Sequence, residues 1–418
     1  MKIIHLSHSD VIGGASIAAY RLHRALLKKG VKSNMWVNKL GSGDWTIKDP
    51  ASKLEKLFNE LKPRLIDNFT NKILRIDNKV IHSLSLLPSA WVKRINDSDA
   101  DIVNLHWIQN EMISIKDISK IDKPIVWTLH DMWAFCGSEH YTDDFRWRKG
   151  YNNNNRPINE SGFDLNYWTW KRKQKYWKKP MKIITPSQWL SRCVGESNLM
   201  SSWSVTSIAN PINIESFKPI DKKIARDQLN LPIAKNLILF AAPGGEKDPR
   251  KGFDLLLSAL KRLKDSTQHN NLELVVIGQT RPKLVPNNFP IHYMGHLHDD
   301  ISLSLVYNSV DAIIIPSRQD NLPNTGVEAQ ACGVPIVSFN VGGLSDIVEH
   351  KETGYLAKAF DTFDLANGIS WVITNSIDMN LREKARKNSV LKFSEIKIAE
   401  NYINIYNEIL SKSGKVSN

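Results

Sequence analysis

At 418 residues the chain is longer than one ordinary hydrophobic core supports, and its 42% hydrophobic and 24% charged residues are typical of a globular protein. It contains no run of about 18 apolar residues, the length that a membrane-spanning helix needs. Its three cysteines, Cys136, Cys193 and Cys332, show neither a disulfide nor a zinc spacing. We therefore expect two domains in a reducing, cytoplasmic setting, and the interrupted apolar run after Met1 argues against a signal peptide.

The net charge of +13 is distributed unevenly along the chain. Residues 1–215 contain 32 Lys and Arg against 21 Asp and Glu, a difference of +11, and residues 216–418 contain 24 against 22, a difference of +2. A basic first half favours contact with a polyanion or an anionic membrane surface, and the alternative is a basic face that only aids solubility. Nucleic acid is a minor alternative, because the sequence has no zinc-finger spacing, RNP-like motif or heptad-linked basic region.

Short apolar runs alternate with helix-like segments in both halves, which is typical of doubly wound parallel sheets. Amphipathic helices are predicted at 16–29, 253–264 and 301–309, and a last helix at 395–410. The proline at 211 disfavours helix at the residue before it and indicates the junction between two domains. The predicted strands are 2–7, 32–38, 101–107, 124–130, 181–186 and 204–210 in the first half, and 236–241, 272–278, 291–295, 311–316, 334–339 and 354–357 in the second.

Three segments of the first half depart from this alternation. Residues 50–96 form a mostly helical insertion rich in Leu, Ile and Lys. Residues 137–167 are loop-like, and a loop of about 30 residues in a compact domain is usually functional or mobile. Residues 168–179 combine aromatic and basic side chains on a predicted helix, and such a helix can lie on anionic lipid.

The densest group of candidate site residues lies between 316 and 335. A buried strand is predicted to end there, followed by a loop and a short helix from about Thr325 to Cys332. In α/β folds, phosphates bind where the carboxyl end of a parallel strand faces a helix N-terminus. We therefore expect the N–H groups of Asn324, Thr325 and Gly326 to bind a diphosphate.

Two carboxylates flank the start of that helix. We expect Glu328, one turn inside, to accept hydrogen bonds from paired ribose hydroxyls, and Asp320 to hold hydroxyls of a sugar. The alternative for Glu328 is a capping box with Thr325, which requires no ligand. A cap accounts neither for Asp320 nor for the loop from Asn321 to Asn324, so the whole stretch favours ligand binding.

The stretch from Asp320 to Glu328 resembles the E-x(7)-E signature of retaining GT-B glycosyltransferases in glycosyltransferase family 4, in the form of exopolysaccharide and colanic-acid-type members. The resemblance implies an α/β GT-B fold with two Rossmann-like, doubly wound domains facing one another across a cleft. It places acceptor binding at 1–210, donor binding at 211–392, and a C-terminal helix, 393–418, against the first domain. In the family the first carboxylate and the loop amides, here with Asn321, contact sugar and phosphate. Asp320 stands in place of the first Glu and has a shorter reach.

A second motif, residues 248–254, resembles the segment after the first strand of the family's donor domain. The resemblance implies that Lys251 binds the donor diphosphate and stabilises the departing nucleotide, which is a catalytic role where no metal does so. The alternative is a solvated lysine at the start of a surface helix. Many relatives have an arginine six positions before this lysine, where this chain has Gly245, and we expect Arg250 or Arg318 to compensate.

Gly13 and Gly14 follow the first predicted strand and open a helix. They do not form the G-x-G-x-x-G pattern of dinucleotide-binding folds, and a glycine pair is usually only a tight turn. The resemblance implies that this loop lies opposite the donor phosphates, with Gly14 near the donor and both glycines beside the acceptor. A missing side chain permits such a close approach.

Two histidines follow predicted strands of the first half. His130 resembles the family's active-site histidine, whose neutral imidazole hydrogen-bonds a hydroxyl of the donor sugar, and His106 matches a second position on the acceptor side. The alternative is a structural histidine, with Asp131 capping the next turn. Such relatives often carry several cysteines after the segment that contains His130, and this chain has only Cys136 there. The acidic turn at 97–101 lacks the Gly and Glu of a calcium-binding loop. We therefore expect no metal site.

The activity implied by the resemblance is metal-independent, retaining transfer of a hexose from a UDP- or GDP-sugar to a saccharide acceptor. We expect this acceptor to be lipid-linked and to belong to bacterial O-antigen, capsule or exopolysaccharide synthesis. No cofactor is expected besides the nucleotide sugar as co-substrate. The enzyme is expected to be cytoplasmic and peripheral on the inner face of the membrane. Two alternatives remain: a GT-B-like protein that binds nucleotide or sugar without catalysis, and a basic nucleic-acid-binding protein, which salt-dependent DNA binding would reveal.

Overall fold

The computed structural model of the protein describes residues 1–50, 52–73, 80–241, 248–264, 271–280 and 290–412. The chain forms two compact units. Unit 1 comprises Met1–Ile208 together with Ile398–Asn418, and unit 2 comprises Ala209–Lys397. The sequence predicted a first boundary at 210 and a return to the first domain at 393. In the structure the chain returns to unit 1 at Ile398, five residues after the predicted position.

Unit 1 is built on a seven-stranded parallel sheet in the order β3-β2-β1-β4-β5-β6-β7. Its helices lie between these strands in sequence, as the alternation of short apolar runs with helix-like segments predicts. The strands are β1 (Lys2–Ser9), β2 (Lys32–Lys39), β3 (Ile47–Lys48), β4 (Ile102–Leu105), β5 (Ile125–Thr128), β6 (Lys182–Thr185) and β7 (Val205–Ser207). The helices are α1 (Gly14–Lys28), α2 (Lys53–Ile73), α3 (Trp91–Asn96), α4 (Ile115–Ile118), α5 (Arg146–Lys149), α6 (Leu165–Tyr176) and α7 (Gln188–Glu196).

Unit 2 is built on a six-stranded parallel sheet in the order β10-β9-β8-β11-β12-β13. Its strands are β8 (Asn236–Ala241), β9 (Leu272–Ile277), β10 (Ile291–Tyr293), β11 (Ala312–Ile315), β12 (Ile336–Phe339) and β13 (Gly354–Ala357). Its helices are α8 (Lys222–Gln228), α9 (Phe253–Lys264), α10 (Asp300–Ser309), α11 (Asn324–Ala331), α12 (Leu344–Ile347), α13 (Thr362–Asn375) and α14 (Leu381–Phe393), followed by α15 (Glu395–Lys412).

The prediction of a doubly wound α/β fold in each half is confirmed by the two parallel sheets. All residues of β4, β11 and β12 are buried, as expected for strands with helices on both faces of the sheet. All twelve predicted strands are present, several of them shorter than expected. The two-residue strand β3 was not predicted, because it is too short to show an alternating pattern.

Helix α15 begins in unit 2 and packs into unit 1 from Ile398 onward. Its buried Tyr402 hydroxyl lies 3.1 Å from the Thr128 hydroxyl, and its Tyr406 hydroxyl accepts a 2.8 Å hydrogen bond from the Asn104 side chain. Two polar side chains of the sheet core are thereby satisfied by tyrosines of the last helix.

The segment 137–167, which the sequence predicts to be loop-like, is packed in part: residues 137–140 and several of 141–151 are buried, whereas 152–154 and 161–163 are exposed. Arg146 is buried and forms an ion pair with Asp164, whose carboxylate also caps α6. Trp147 and Tyr151 are also buried. The polar composition is therefore explained by internal ion pairs and hydrogen bonds.

The aromatic and basic segment 168–179 corresponds largely to α6 and the residues after it, and much of it is built into unit 1. Trp170 and Trp177 are buried, and the Arg172 guanidinium donates to the Leu84 and Ser85 carbonyls at 2.6 and 2.8 Å. The buried Lys173 ammonium donates to backbone carbonyls of Trp133, Cys136 and Gly137. These side chains stabilise the domain, so Trp170 and Trp177 are not available to lipid, and contact of the segment's exposed residues with anionic lipid stays a prediction.

The strand order of each sheet reverses beside the first strand of its unit, between β1 and β4 and between β8 and β11. Doubly wound sheets bind ligands outside the carboxyl ends of the strands at such a switch point. In unit 1, Gly13 follows β1, His106 follows β4 and His130 follows β5. In unit 2, Asp320 follows β11. The predicted site residues therefore lie at the edges where this fold places its ligands.

Candidate functional site

The loop after β11 places Asp320 among donors in unit 2. Its carboxylate accepts hydrogen bonds from the Lys251 ammonium at 2.6 Å and from the Ser317 hydroxyl at 3.2 Å, and the Arg250 guanidinium lies 3.7 Å away. Burial by itself raises the pKa of Asp320, but the two cations and the hydrogen bonds outweigh it and hold the pKa below its ordinary value. Asp320 is therefore a buried anion.

Lys251 and Arg250 reach Asp320 from a short 3-10 turn, Pro249–Lys251, that precedes α9. The Asp248 carboxylate accepts from the Arg250 N–H at 3.0 Å and fixes the start of this turn. The Arg250 guanidinium also donates to the Gln319 carbonyl at 3.0 Å. The two motifs that the sequence singled out, 248–254 and 316–328, are thus joined by direct contacts.

Two glycines make this contact between the motifs possible. Gly252 has a positive φ of 68°, and a Cβ built on it would lie 2.0 Å from the Pro316 carbonyl oxygen. Gly342 has a φ of 58°, and its Cβ would lie 2.2 Å from the Asp320 carbonyl oxygen. Any side chain at either position would displace the loop that carries Asp320.

Helix α11 begins at Asn324, with Pro323 as its N-cap residue and without a capping side chain. The capping-box alternative for Thr325 and Glu328 is therefore wrong, because Thr325 already lies inside the helix. The Gly326 N–H donates to the Pro323 carbonyl at 3.0 Å, and the position of its missing Cβ lies 3.1 Å from a methyl carbon of Ile315. Gly326 thus lets α11 pack on the sheet. Because its N–H already donates to Pro323, the diphosphate contact remains a prediction for the amides of Asn324 and Thr325.

The side chains around the start of α11 are held by neighbouring loops. Asn210 donates from its side-chain amide to the Asn324 side-chain oxygen at 3.2 Å and to the Leu322 carbonyl at 3.3 Å. The buried Asn321 donates its backbone N–H to the Asp320 carboxylate at 3.1 Å. These contacts give the loop a defined conformation.

Glu328 is 4% exposed and accepts a 2.7 Å hydrogen bond from the hydroxyl of Tyr307, on α10. A carboxylate has about four lone-pair sites, so several hydroxyl groups can donate to one carboxylate at the same time. Tyr307 is itself fully buried, so it fixes the rotamer of Glu328. Sequence reasoning could not find this pair, because the two residues lie 21 positions apart on different helices.

Of the two arginines considered as replacements near Gly245, one is engaged elsewhere. The Arg318 guanidinium forms two hydrogen bonds to the Asp254 carboxylate, at 2.8 and 2.7 Å, and a third to the Pro249 carbonyl at 2.7 Å. Arg250 instead lies beside Asp320. Arg250 is therefore the better placed of the two, and Gly245 itself lies outside the described residues.

In unit 1 the loop after β1 leads directly into α1. Gly13 is the N-cap residue, with a φ of 86°, and a Cβ at this position would meet no atom within 4 Å. The backbone conformation accounts for this glycine, and the open space beside it fits the predicted approach of a substrate. Gly14 is the first residue of α1.

Three histidines from neighbouring strands form a row at the switch point of unit 1. His130 Nε2 lies 3.2 Å from His106 Nδ1, and His106 Nε2 lies 3.0 Å from His5 Nδ1. His5 and His106 are buried, and His130 is half-buried. Burial lowers the pKa of His130 to about 4, although Asp131 acts in the opposite direction. His130 is therefore neutral at neutral pH, as its predicted role requires.

The inner end of this row indicates how its protons are arranged. His5 Nε2 is buried and has no hydrogen-bond partner among the described residues. A buried N–H without an acceptor costs more than an unused lone pair, so we infer that His5 carries its proton on Nδ1 and donates to His106. His106 then donates from Nδ1 to Nε2 of His130, and the His130 proton resides on Nδ1. The pattern could not be found from sequence, because His5 resembles a core residue of β1.

Asp131 accepts hydrogen bonds in the turn after His130. Such a cap by Asp131 was expected in the alternative in which His130 is a structural residue. One carboxylate oxygen accepts from the Trp133 N–H at 3.0 Å, and the other accepts from His140 at 2.6 Å and from the Trp107 indole at 3.0 Å. The prediction that Asp131 caps this turn is confirmed. The turn fixes the backbone immediately after His130.

Within the described ranges, no group of three or more His, Cys, Asp or Glu side chains is placed to hold a metal ion. The switch point of unit 2 carries two cations, two carboxylates and a helix N-terminus, which can bind a diphosphate. The switch point of unit 1 carries neutral imidazoles, which can hydrogen-bond hydroxyls.

Residues 235–375, which contain β8 to β13 and the Lys251–Asp320 contact, match the family described as Glycosyl transferases group 1. The match covers about a third of the chain, so this part of the chain is similar to the family. One relative, the lipopolysaccharide 1,2-N-acetylglucosaminetransferase of Salmonella typhimurium, is 27% identical over 239 residues, which cover 53% of this chain and 60% of that protein. The chain spans about half the length of the curated relatives it matches.

Several solved structures share the fold over nearly the whole chain. Sucrose-phosphate synthase from Thermosynechococcus elongatus superposes with a TM-score of 0.68 at 17% identity, covering 99% of this chain and all of that chain. Anabaena Alr3699/HepE in complex with UDP-glucose gives a TM-score of 0.64 at 16% identity, covering 99% and 100%. The chain therefore has the GT-B fold. Among its described residues no helix is long and apolar enough to cross a bilayer.

Proposed function

We propose that this chain is a retaining glycosyltransferase that transfers a hexose from a nucleotide sugar, a UDP- or GDP-sugar, to a saccharide acceptor. The observation that supports this most strongly is the contact of Lys251 with Asp320 at the carboxyl edge of β11, beside the start of α11. It places a cation, a helix N-terminus and a carboxylate at one edge, where a sugar diphosphate needs them. The UDP-glucose bound by HepE suggests UDP as the nucleotide.

Each residue in unit 2 has a distinct role in the proposal. Lys251, assisted by Arg250, binds the diphosphate, and the amides of Asn324 and Thr325 bind it at the positive end of the α11 dipole. Glu328 accepts hydrogen bonds from the ribose hydroxyls. Asp320 orients Lys251 and holds a hydroxyl of the donor sugar.

Unit 1 contributes the acceptor side of the proposal. His130, neutral and oriented by His106 and His5, hydrogen-bonds a hydroxyl of the transferred sugar. Gly13 leaves space for the acceptor, Gly14 follows it as the first residue of α1, and His106 lies next to His130. His106 and His5 thus position the imidazole, and His130 touches the substrate.

The proposed reaction is a front-face substitution. The bond between the anomeric carbon and the phosphate oxygen breaks, and its electron pair leaves with the nucleoside diphosphate. The acceptor oxygen forms its bond to the same face of the anomeric carbon, and its proton passes to the leaving phosphate oxygen. The positive charge of Lys251 and the dipole of α11 stabilise the diphosphate as its negative charge grows, without a metal ion.

We propose a lipid-linked saccharide of bacterial surface polysaccharide synthesis, used at the cytoplasmic face of the membrane, as the acceptor. Two kinds of relative support this class: the lipopolysaccharide transferase of Salmonella typhimurium and the capsular polysaccharide transferase CapM of Staphylococcus aureus. The charge difference of +11 in residues 1–215 is consistent with an anionic membrane surface.

Thermal shifts with a panel of UDP-, GDP- and ADP-sugars test the proposal, because a bound ligand raises the melting temperature by mass action. We expect one nucleotide class to stabilise the protein and its sugar to be transferred or slowly hydrolysed. Stabilisation without any turnover would favour a non-catalytic binding protein. Failure of every nucleotide sugar to bind would contradict the proposed function.

A further inference from the structure

Helix α2 packs on unit 1 through polar side chains. Asn59 and Lys62 are 8% and 2% exposed. The Asn59 amide donates to the Asn38 side-chain oxygen at 3.3 Å, and the Lys62 ammonium donates to the Pro88 carbonyl at 2.8 Å. One turn earlier, Glu55 forms an ion pair with Arg94. The face that an ordinary amphipathic helix fills with apolar residues is here polar.

The apolar residues of the same helix are exposed instead. They recur at spacings of three and four, so they form one stripe along a helix with 3.6 residues per turn. Their exposed fractions are 79% for Leu54, 54% for Leu57, 54% for Phe58, 42% for Leu61 and 62% for Leu65. Scattered exposed leucines are unremarkable, but a contiguous stripe of five large apolar side chains is typical of an interaction site.

The charged residues of α2 lie beside this stripe and are predominantly basic. Lys53, Lys56 and Arg64 are exposed, with Glu60 as the exposed acid among them. Lys56 forms an ion pair with Asp49, which reduces its contribution. Among the described side chains of the helix, three surfaces are present: a polar surface against unit 1, an exposed apolar stripe, and a surface with Lys53, Lys56, Arg64 and Glu60.

We propose that the exposed stripe of α2 inserts into the interfacial region of an anionic lipid bilayer. A helix with an apolar face and bases beside it lies in the plane of the interface, with apolar side chains among the acyl chains and cations near the head groups. The excess of +11 in residues 1–215 provides the complementary charge. This inference deepens the proposed function, since it names the surface that would bring unit 1 to a lipid-linked acceptor, but it is measured without any sugar.

The charge distinguishes a bilayer from a second copy of the chain as the occupant. Two copies joined along the stripe would bring the bases Lys53 and Arg64 of one helix toward those of the other, and like charges repel. An anionic bilayer neutralises these same bases. The segment 168–179 is a weaker candidate, because its tryptophans at 170 and 177 are buried in unit 1.

Co-sedimentation of the full chain with vesicles tests the proposal. We compare vesicles of phosphatidylcholine containing phosphatidylglycerol with vesicles of phosphatidylcholine alone. The double variant Leu57→Gln/Leu61→Gln should bind the anionic vesicles at least about tenfold more weakly than the unaltered protein. The matched control is Ile158→Gln/Phe163→Gln, which removes two exposed apolar side chains elsewhere on unit 1 and should bind as the unaltered protein does.

A reporter at the stripe separates insertion from electrostatic adsorption. A fluorophore attached to the thiol of Leu57→Cys, in a chain whose three native cysteines are buried, should be quenched by nitroxide-labelled acyl chains when anionic vesicles are added. Unchanged vesicle binding by the double variant, or no quenching, would overturn the proposal. A dimer in solution that the double variant dissociates, without vesicle binding, would assign the stripe to a second copy and equally overturn it. Nucleotide-sugar binding, measured without vesicles, reports separately on the proposed function.

Discussion

The ammonium of Lys251 lies 2.6 Å from the carboxylate of Asp320, so the cation assigned to the donor diphosphate already faces a buried anion in the protein without ligand. The carboxylate holds the lysine side chain in place, and a bound diphosphate would compete with it for the same ammonium. The pair therefore links the stability of the site to donor binding.

Replacing Lys251 with Met should remove donor binding and leave Asp320 without its nearest cation. Loss of one partner of a buried ion pair costs up to about 3–5 kcal/mol. Because the pKa of Asp320 lies below its ordinary value, its contribution to stability is present above about pH 4 and is lost as the pH falls through the folded-state pKa. Urea denaturation of both proteins should thus show the largest difference at neutral pH and a smaller one below pH 4.

The control for this comparison is Lys261→Met, which removes an exposed lysine of α9. Its stability should change by no more than about 0.5 kcal/mol, as is usual for surface substitutions. Equal donor affinity in Lys251→Met and the unaltered protein would show that this lysine does not contact the diphosphate.

Glu328→Gln should weaken nucleotide binding by about a hundredfold, because hydrogen bonds to a charged group contribute about 1.5–3 kcal/mol each and ribose would lose a charged acceptor. Tyr307→Phe is the matched variant, since it removes the 2.7 Å hydrogen bond to Glu328 while the carboxylate remains. We expect it to lower stability by about 1–3 kcal/mol with a small effect on affinity. Calorimetric titration with the nucleoside diphosphate measures the affinity of both variants, and urea denaturation measures their stability. If Glu328→Gln lowers only the melting temperature, Glu328 is a packing residue.

Much of the fold was predictable because parallel strands have a simple pattern. Each predicted strand is a short apolar run between turn residues, and Gly333 ends α11 where the sequence indicated. The loop with Asp320 was predictable for the same reason, since it joins a buried strand to a helix. That Lys251 and Asp320 meet was implied by family resemblance alone, because nothing local connects positions 69 residues apart.

Features that depend on tertiary contacts were not predictable. The Thr325-x-x-Glu328 pattern allowed a capping box, but the helix begins at Asn324, and the partner of Glu328 comes from α10. The pattern of α2 indicates an amphipathic helix, and by the usual rule its leucines would be buried. Only the contacts of Asn59 and Lys62 reveal which face is turned inward.

Donor turnover should persist in excess EDTA, since the proposal assigns the diphosphate to Lys251, Arg250 and the α11 amides. The measurement is release of nucleoside diphosphate with and without chelator, followed by NMR of the anomeric proton in the product. We expect equal rates and the donor's anomeric configuration. Loss of activity that manganese restores would contradict the metal-free assignment, and an inverted product would separately contradict retention.

The row of histidines predicts the tautomer of His130. Because the orphaned atom is His5 Nε2, the proton of His130 should reside on Nδ1, with Nε2 accepting from His106. Nitrogen-15 NMR of labelled imidazoles distinguishes the two tautomers directly. His5→Phe removes the inner member of the row, so His106 is no longer fixed and the His130 signal should show both tautomers. A His130 proton on Nε2 in the unaltered protein would contradict the arrangement.

The last prediction concerns stability below neutral pH. Burial lowers the pKa of His8, His23, His82 and His130 to about 4 in the folded protein, whereas histidines of an unfolded chain titrate near 6.5. Between these values the unfolded state binds more protons, so the free energy of unfolding should fall as the pH falls from about 6.5 toward 4. Each such histidine contributes up to about 1.4 kcal/mol per pH unit.

The variant His23→Gln tests the size of one such contribution. His23 contacts the Ser33 and Thr46 hydroxyls at 2.7 and 2.8 Å, and glutamine can hydrogen-bond without titrating in this range. Urea denaturation between pH 7 and 5 should give a shallower slope than the unaltered protein, by about 1 kcal/mol per pH unit, even where the variant is less stable throughout. An unaltered slope in His23→Gln would mean that His23 is protonated in the folded protein or neutral in both states, contrary to the burial of its ring.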